Sequence, residues 1–286
     1  MRLRSSEPRI HPSAELKETR LGRFVEIGPR VLLRDVTVGD FSYCERGGEA
    51  IHADIGKFCS IAANVRINAL DSEWGMDDLK AACAAAPDAI LIPKVGSADD
   101  LKQVEKMMKA FGASDNTRIW AMMETPLGIL NAQEIAASTL MLEAFVLGTN
   151  DLFKDLSATH TPERSAVIAS LSMCLLAARA YGLICVDGVY NAFKDDEGLR
   201  SECQQGRDMG FDGKTLIHPA QLSVTNEVFA PSAADITLAQ SYVDAFNEAT
   251  ATGSGVAVVN GKIVENLHVE TAQKLLGKAA TIAMIQ

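Results

Sequence analysis

The sequence predicts an α/β protein in two parts: a parallel sheet covered by helices from residue 65 onwards, and a short β-solenoid over residues 1–64. Three observations support this prediction. After residue 65, short apolar segments alternate with amphipathic helical patterns, whereas before it an aliphatic residue returns at about every sixth position. The charge balance also changes there, because residues 1–64 carry 10 Lys+Arg against 9 Asp+Glu and the remainder carries 17 against 28.

The first part has the spacing of a solenoid. Aliphatic residues stand at positions 21, 27, 33 and 38 and, after an interruption, at 55, 61 and 67. Each hexad would form one short strand and one corner of a coil, with the aliphatic side chain inside. The stretch from Ile10 to Ile67 resembles the left-handed β-helix of the hexapeptide-repeat acyltransferases. This resemblance implies an N-terminal left-handed β-helix fragment, and such domains commonly trimerise.

Acyltransferase chemistry is not expected in this fragment. Enzymes of that family use a catalytic histidine from a coil or loop, but no histidine occurs between His52 and His160. His11 and His52 are interpreted as solvent-facing or turn residues, because neither has a visible partner in the sequence.

Six candidate strands follow, each succeeded by a helical pattern. They cover residues 65–70, 89–93, 118–124, 144–148, 183–187 and 214–218. The segment "PERSAVIASLSMCLLAARA" predicts a helix that ends at Gly182. Its apolar face would carry Val167, Ile168, Leu171, Leu175 and Ala178. Strands and helices that alternate in this way indicate a parallel sheet with helices packed outside it.

Polar residues stand at or just after the strand ends. They are Arg66 and Asn68 in the first unit, Lys94 after the second, Glu124 at the end of the third, Asp151 after the fourth, Asp187 at the end of the fifth and His218 at the end of the sixth. In a barrel these ends meet on the catalytic face. Singly, Asp151 and Asp187 could cap helices, Lys94 could be a solvated loop cation and His218 a hydrogen-bonded core residue. Together they indicate a site for a hard cation and an anion.

Several consecutive segments carry a closer resemblance. They include "VRINALDSEWGMDDL", "PDAILIPKVGSADDL", "METPLGILNAQEIA", "LGTNDLFKDL", "DGVYNAFKDDEGLRSECQQGRDMGFDGKTLIHPAQL" and "GSGVAVVNGKIVENLHVETAQKLL". From Val65 to about Leu276 the chain resembles the citrate lyase beta subunit and malyl-CoA lyase family. The resemblance implies a Mg²⁺-dependent carbon–carbon lyase. Its substrate would be a 3-hydroxyacyl-CoA such as citramalyl- or malyl-CoA, and its products an acyl-CoA and a 2-oxo acid.

The same resemblance assigns roles to individual residues. Glu124 and Asp151 would bind Mg²⁺, and Arg66 would clamp the carboxylate of the oxo acid or stabilise the oxyanion. Glu265 in "KIVENLH" stands where many relatives have an Asp, on a C-terminal segment that often covers the site of a neighbouring subunit, and would be an acid/base or lid residue.

Two further residues, Lys94 and His218, would bind substrate. The resemblance also implies a homo-oligomer.

The resemblance is not complete, because family members have two further βα units before "VRIN". A "LFVPG"-like strand with basic residues that hold CoA and a "DLEDAV"-like strand near the metal are both missing here. The expected fold is therefore an incomplete (β/α)₈, TIM-like barrel over residues 65–286, preceded by the β-helix fragment over residues 1–64. Six units leave open edges on the first and last strands. We expect impaired activity.

Alternatives remain open for the missing units. The fragment would stand beside an open barrel, a partner subunit would fill the gap, or the chain would join two unrelated genes and fold poorly. A non-catalytic oligomerisation or scaffold protein, or a hexapeptide-repeat acyltransferase remnant, is the alternative function.

Composition limits the classes of partner. The formal net charge of −10 argues against nucleic-acid binding, which needs a basic surface. No run of 18 apolar residues and no signal-peptide core occurs, so no membrane association is expected. The 6 cysteines lack metal-ligand spacing and are interpreted as buried free thiols of a cytoplasmic protein.

Overall fold

The structure is a computed structural model that describes residues 7–23, 25–27, 31–38, 43–44, 49–55, 60–61 and 64–285. The chain divides into two compact units, Met1–Thr225 and Asn226–Gln286. The predicted boundary after residue 64 falls inside the first unit and stays a prediction.

Short strands that pair only in parallel make up the described N-terminal residues. They are β1 (Arg9–Ile10), β2 (Glu15–Lys17), β3 (Arg20–Leu21), β4 (Glu26–Ile27), β5 (Leu32–Val38), β6 (Tyr43–Cys44), β7 (Glu49–Ile55) and β8 (Ser60–Ile61). One sheet has the order β1-β4-β6-β8, and in the other β5 pairs with β2, β3 and β7. A regular offset relates the stacked strands: Arg9 pairs with Glu26, Glu26 with Tyr43 and Tyr43 with Ser60, 17 residues apart each time.

A constant parallel offset is what one coil of a solenoid produces. It is one residue shorter than three full hexads. The left-handed β-helix itself stays a prediction.

These strands enclose a small core of their own. Ile27 and Leu33 are each 1% exposed, which confirms two of the predicted inward positions. Val25, Val31 and Val36 are buried beside them and were not expected, because they lie between the hexad positions. Val25 with Ile27, and Val31 with Leu33, are two residues apart, so each pair shares one face of the extended chain. Val36 lies three residues beyond Leu33 and does not follow this spacing.

Six parallel strands form the third sheet of the first unit. They are β9 (Asn64–Arg66), β10 (Ala89–Ile92), β11 (Arg118–Met123), β12 (Leu142–Leu147), β13 (Ile184–Asp187) and β14 (Gly213–Lys214). Neighbours in sequence are neighbours in the sheet, and within the described residues the sheet begins at β9 and ends at β14. None of β1–β8 belongs to it. The predicted six-stranded α/β fold is confirmed, although β9 and β14 are shorter than predicted.

Helices connect these strands. They are α1 (Gly75–Ala85), α2 (Ala98–Ala110), α3 (Pro126–Leu130), α4 (Ala132–Ala136), α5 (Thr149–Asp155), α6 (Ile168–Ala180), α7 (Asp196–Met209) and α8 (Gln221–Phe229), the last of which crosses the unit boundary. The start of α2 is fixed by a capping box between Ser97 and Asp100. On the predicted face of α6, Leu171, Leu175 and Ala178 are buried, as expected.

The sheet is apolar on both faces, as expected for parallel strands. Leu91, Met122 and Val146 form one buried cluster, and Ile90 and Phe145, at alternate positions, are buried on the other face. The described free cysteines are buried, and they are Cys83, Cys174, Cys185 and Cys203. Burial raises the pKa of the Cys174 thiol to about 12, which keeps it protonated.

The second unit contains α9 (Ala233–Ala251), the antiparallel strands β15 (Ala257–Val259) and β16 (Lys262–Val264), and α10 (Asn266–Ile285). Its core forms around Ala257, Val264 and Val269. Among the helices of the described residues, none combines the length and apolar character needed to cross a membrane.

Candidate active site at the carboxyl ends of the strands

Because β9 to β14 are parallel, the residues that follow them lie along one edge of the sheet. Four of them carry the geometry of the candidate site: Lys94 after β10, Glu124 after β11, Gly148 after β12 and Asp187 at the end of β13.

Glu124 is a buried carboxylate at this edge, with an exposed fraction of 1%. The backbone N–H of Lys94 donates a hydrogen bond to Glu124 Oε1 at 2.8 Å. On its other side lies Gly148. A Cβ added there would be 2.7 Å from Glu124 Oε2 and closer still to Glu124 Cβ. Glycine is therefore required at 148, because any side chain would displace the carboxylate.

Asp151 is brought near the same place by α5. Gly148, which touches Glu124, is the N-cap residue of that helix, and Asp151 lies in its first turn and is half-buried. The two predicted metal ligands thus belong to one strand end and to the helix turn packed against it.

The described residues contain no group of three or more His, Cys, Asp or Glu side chains that could hold a metal ion. A pair of carboxylates nevertheless fits Mg²⁺, which keeps several water molecules and takes further oxygen ligands from its substrate. Glu124 and Asp151 have that donor chemistry.

Lys94 contributes through its main chain. Its side chain is exposed and its φ of 52° is in the left-handed region, as in a tight turn. The interpretation as a solvated loop cation agrees with this exposure, and a role in substrate binding stays a prediction.

His218 is not at a strand end, because β14 ends at Lys214. It is exposed and stacks on Phe193 with 4.6 Å between ring centroids. Its Nδ1 accepts from the backbone N–H of Ala220 at 3.1 Å. The interpretation as a buried core residue is therefore wrong, since the loop after the short strand β14 carries it to the surface.

Arg66 is the last residue of β9 and is in register with Leu91. Its role as a clamp stays a prediction, because the structure describes only its backbone position. Nearby, Asn68 is exposed and its backbone N–H and side-chain amide both donate to Asp78 Oδ2, at 3.1 and 2.7 Å.

Asp187 differs from Glu124, because it belongs to a buried charge cluster. Arg164 Nη1 donates to both oxygens of the Asp187 carboxylate at 2.8 Å, and Lys214 Nζ donates to Oδ2 at 3.1 Å. Lys214 also pairs with Glu202. The possible helix-cap role of Asp187 is wrong, because these cations, and not a helix N-terminus, bind its carboxylate.

The partners of Asp187 were missed by the sequence interpretation. Arg164 lies before α6, Glu202 lies in α7 and Lys214 opens a segment that was interpreted only as a strand. One feature of the sequence could have indicated the cluster: Lys214 stands in an apolar strand pattern, and a buried lysine needs an acidic partner.

Loops at this edge are tied together. Asn150 and Asn191 donate to each other's side-chain oxygens at 3.1 and 2.7 Å, which joins α5 to the loop after β13. The same loop accepts a hydrogen bond at Tyr190 O from Gln221 Nε2 at 2.8 Å.

Glu265 belongs to the second unit, between β16 and α10. It is exposed, and its backbone N–H donates to His268 Nδ1 at 3.1 Å. Its role as an acid/base or lid residue stays a prediction.

The six-stranded parallel sheet and these carboxylates define an α/β protein with its candidate site at the carboxyl ends of the strands. The sequence profile of the HpcH/HpaI aldolase/citrate lyase family matches residues 50–219. The chain belongs to this family.

Curated relatives and solved structures agree. The (3S)-malyl-CoA thioesterase of Cereibacter sphaeroides (strain ATCC 17025) is 56% identical over 231 residues, which cover 81% of this chain and 78% of that protein. The citrate lyase subunit beta of Escherichia coli K12 is 34% identical over 220 residues, covering 75% and 73%.

A Mycobacterium tuberculosis CitE structure in complex with magnesium, acetoacetate and coenzyme A matches with a TM-score of 0.62 and 26% identity. The match covers 76% of this chain and 78% of that one.

Proposed function

We propose that this chain is a Mg²⁺-dependent enzyme that acts on a 3-hydroxyacyl-CoA ester of the malyl-CoA or citramalyl-CoA type. The observation that supports this most is the buried Glu124 carboxylate against Gly148, with Asp151 in the helix turn that Gly148 begins. The M. tuberculosis structure with magnesium and coenzyme A supports the same assignment.

In this proposal the chain's own residues bind and orient. Glu124 and Asp151 hold the ion, and the Lys94 backbone N–H fixes one oxygen of Glu124 in place. Arg66 clamps the carboxylate of the acid portion as a fixed, permanently charged fork. Bound Mg²⁺ supplies Lewis-acid polarisation of a substrate oxygen. Lys94 and His218 contact the rest of the substrate, and Glu265 is the acid/base or lid residue.

Two net reactions are compatible with such a site. Thioester hydrolysis adds water across the C–S bond of malyl-CoA and gives malate and free CoA. Carbon–carbon cleavage gives acetyl-CoA and the 2-oxo acid, with the thioester intact. The 56% identity to a malyl-CoA thioesterase favours hydrolysis, whereas the resemblance to citrate lyase beta subunits favours cleavage.

The organisation of the chain belongs to the same proposal. Residues 1–64 form a left-handed β-helix fragment in place of the first two βα units, and residues 65–286 form the incomplete barrel of a homo-oligomeric, cytoplasmic enzyme. The stacked parallel strands with their 17-residue offset support the first statement. A non-catalytic oligomerisation or scaffold protein is the alternative.

The assay should separate the reactions by their products. Purified chain, malyl-CoA and Mg²⁺ are incubated, and the free thiol is measured with Ellman's reagent while glyoxylate is measured as its phenylhydrazone. Thiol without glyoxylate means hydrolysis, and glyoxylate without thiol means cleavage. The Glu124→Gln variant is the matched control. If parent and variant are equally inactive at saturating Mg²⁺, the scaffold alternative stands.

A further inference from the structure

We infer that Asp187 and its buried cationic partners are positioning residues for α5, the helix whose first turn carries Asp151. The part of this inference that concerns Mg²⁺ rests on the proposed function. The mechanical part, that the cluster holds the first turn of α5, does not.

A close contact joins the end of β13 to α5. A Cβ added to Gly188 would lie 2.7 Å from Thr149 Cγ2 and closer still to Thr149 Oγ1. Thr149 is the first residue of α5 and is buried. The main chain at 188 thus lies directly against the start of the helix, and only glycine leaves room for it.

The Asp187 carboxylate fixes the main chain at this contact. The Gly188 N–H donates to Asp187 Oδ1 at 2.8 Å, and the carbonyl of Asp187 accepts from the backbone N–H of Thr215 at 3.0 Å and from its hydroxyl at 3.1 Å. A residue held at both its carboxylate and its carbonyl has little freedom to shift.

The carboxylate is itself held by buried charges. The side chains of Arg164 and Lys214 are 4% and 0% exposed, and both bind Asp187. Glu202 forms an ion pair with Lys214. Removing one member leaves a buried charge without its partner, so the cluster resists rearrangement.

The start of α5 is therefore enclosed from two sides. Gly148 lies against Glu124 and Thr149 lies against Gly188, so the first turn is packed between the ends of β11 and β13. The Asn150–Asn191 pair adds a third tie. A shift at Gly188 is expected to move Asp151 relative to Glu124, because interiors packed this closely transmit displacements.

Gly188→Ala tests the contact without changing any charge. Native-state hydrogen exchange is measured at the amides of Leu152 and Leu156, whose hydrogen bonds close the turns of α5. We expect at least ~10-fold faster exchange at these amides and ~10–100-fold weaker Mg²⁺ binding by calorimetry, the range of outer-shell effects on metal sites. Adding Thr149→Ala to the Gly188→Ala variant removes the two atoms closest to the new Cβ. This double variant should recover most of the exchange protection and most of the Mg²⁺ affinity.

Two controls decide the interpretation. Gly213 lies in the neighbouring strand with open space around its Cα, so Gly213→Ala should change neither exchange nor Mg²⁺ binding. Asp187→Asn keeps an acceptor for the Gly188 N–H but removes the charge between the two cations. Relative to the parent chain, Asp187→Asn should increase the exchange rate more in α5 than in α2. The amides of Leu101 and Val104 in α2 report on general loosening of the fold.

Unchanged α5 exchange in Gly188→Ala, or equal loosening of α2 and α5 in Asp187→Asn, overturns the inference. If the parent chain binds no Mg²⁺ but the exchange results hold, the proposed function fails and the positioning of α5 stands.

Discussion

The ends of β11 and β13 both carry a buried carboxylate, but the two groups are held in different ways. Glu124 accepts a hydrogen bond from a backbone N–H and lies against a glycine. Asp187 accepts two hydrogen bonds from Arg164 and one from Lys214. A metal ion at Asp187 would therefore have to displace two buried cations.

A carboxylate at a strand end is therefore not a metal ligand by position alone, because its role depends on the groups that surround it. A strand-end carboxylate that is enclosed by buried cations becomes part of the structure, because its charge is already balanced. In our inference the two carboxylates act together, because the Asp187 cluster braces α5, the helix that carries the proposed second ligand, Asp151.

The largest effect is expected on turnover. The comparison of the β11 and β13 ends assumes that the site at Glu124 is active in a sheet of six strands, and turnover tests this directly. In the proposed organisation the barrel lacks the first two βα units of the family, with their expected contacts to CoA and near the metal. We expect malyl-CoA turnover at least ~10³-fold below that of the C. sphaeroides thioesterase measured alongside it, from ~10-fold for lost outer-shell contacts and ~10²-fold for lost positioning. Pyruvate binding with Mg²⁺ should survive better than acetyl-CoA binding.

Calorimetric titration with each ligand provides the check. Tight acetyl-CoA binding together with ordinary turnover would contradict the expectation, and would mean that the N-terminal strands replace the missing units.

The structural role of the β13 cluster is tested by stability. Lys214→Met leaves Asp187 and Glu202 short of a buried cation, so we expect the free energy of unfolding to fall by about 3–5 kcal/mol. Urea denaturation followed by circular dichroism measures the change. Lys102→Met is the matched control, because its exposed pair with Asp99 contributes about 1 kcal/mol at most. Equal effects of the two variants would show that the cluster is not structural.

The sequence predicts the sheet better than it predicts the site. Alternation of apolar strands and helices depends on local pattern, and all six strands occur where that pattern places them. The Asp187 cluster depends on Arg164 and Lys214, which are 23 and 27 residues away along the chain. No periodicity reports such a contact.

At His218 the local pattern itself was misleading. Its segment has a strand pattern, but β14 stops at Lys214 and the following loop exposes the imidazole. The burial of Glu124 could not be predicted either, because it depends on Gly148, a residue of the neighbouring strand's loop.

The proposed Mg²⁺ site at the β11 end is tested by removing the charge of each proposed ligand. Glu124→Gln and Asp151→Asn keep the size of each side chain and remove its charge. Each should weaken Mg²⁺ binding by at least ~100-fold, the upper end of what outer-shell changes cost. Calorimetry measures the affinity. Asp155→Asn, in the same helix but in its last turn, should leave the affinity unchanged. Loss of binding in Asp155→Asn but not in Asp151→Asn would place the metal elsewhere.

The smallest effect is expected in the loop after β13, at the pair of Tyr190 and Asp195. The Tyr190 hydroxyl donates to Asp195 Oδ2 at 2.6 Å, and this bond, with that from the Gly198 N–H, lowers the pKa of the Asp195 carboxyl. The same contact raises the pKa of Tyr190 to about 12.

A carboxyl whose pKa is lower in the folded chain stabilises it above the unfolded pKa of about 4, and loses this contribution as the pH falls through the folded value. Tyr190→Phe should therefore lower the Tm slightly at about pH 7, and the difference from the parent should narrow below about pH 4. On the alkaline side, a phenol whose pKa is raised stabilises the fold below about pH 10 and loses its contribution as the pH rises through about 12. Thermal melts of parent, Tyr190→Phe and Asp195→Asn across this range test the pair. A Tm difference that stays constant with pH would mean that the phenol acts by packing and not through the Asp195 charge.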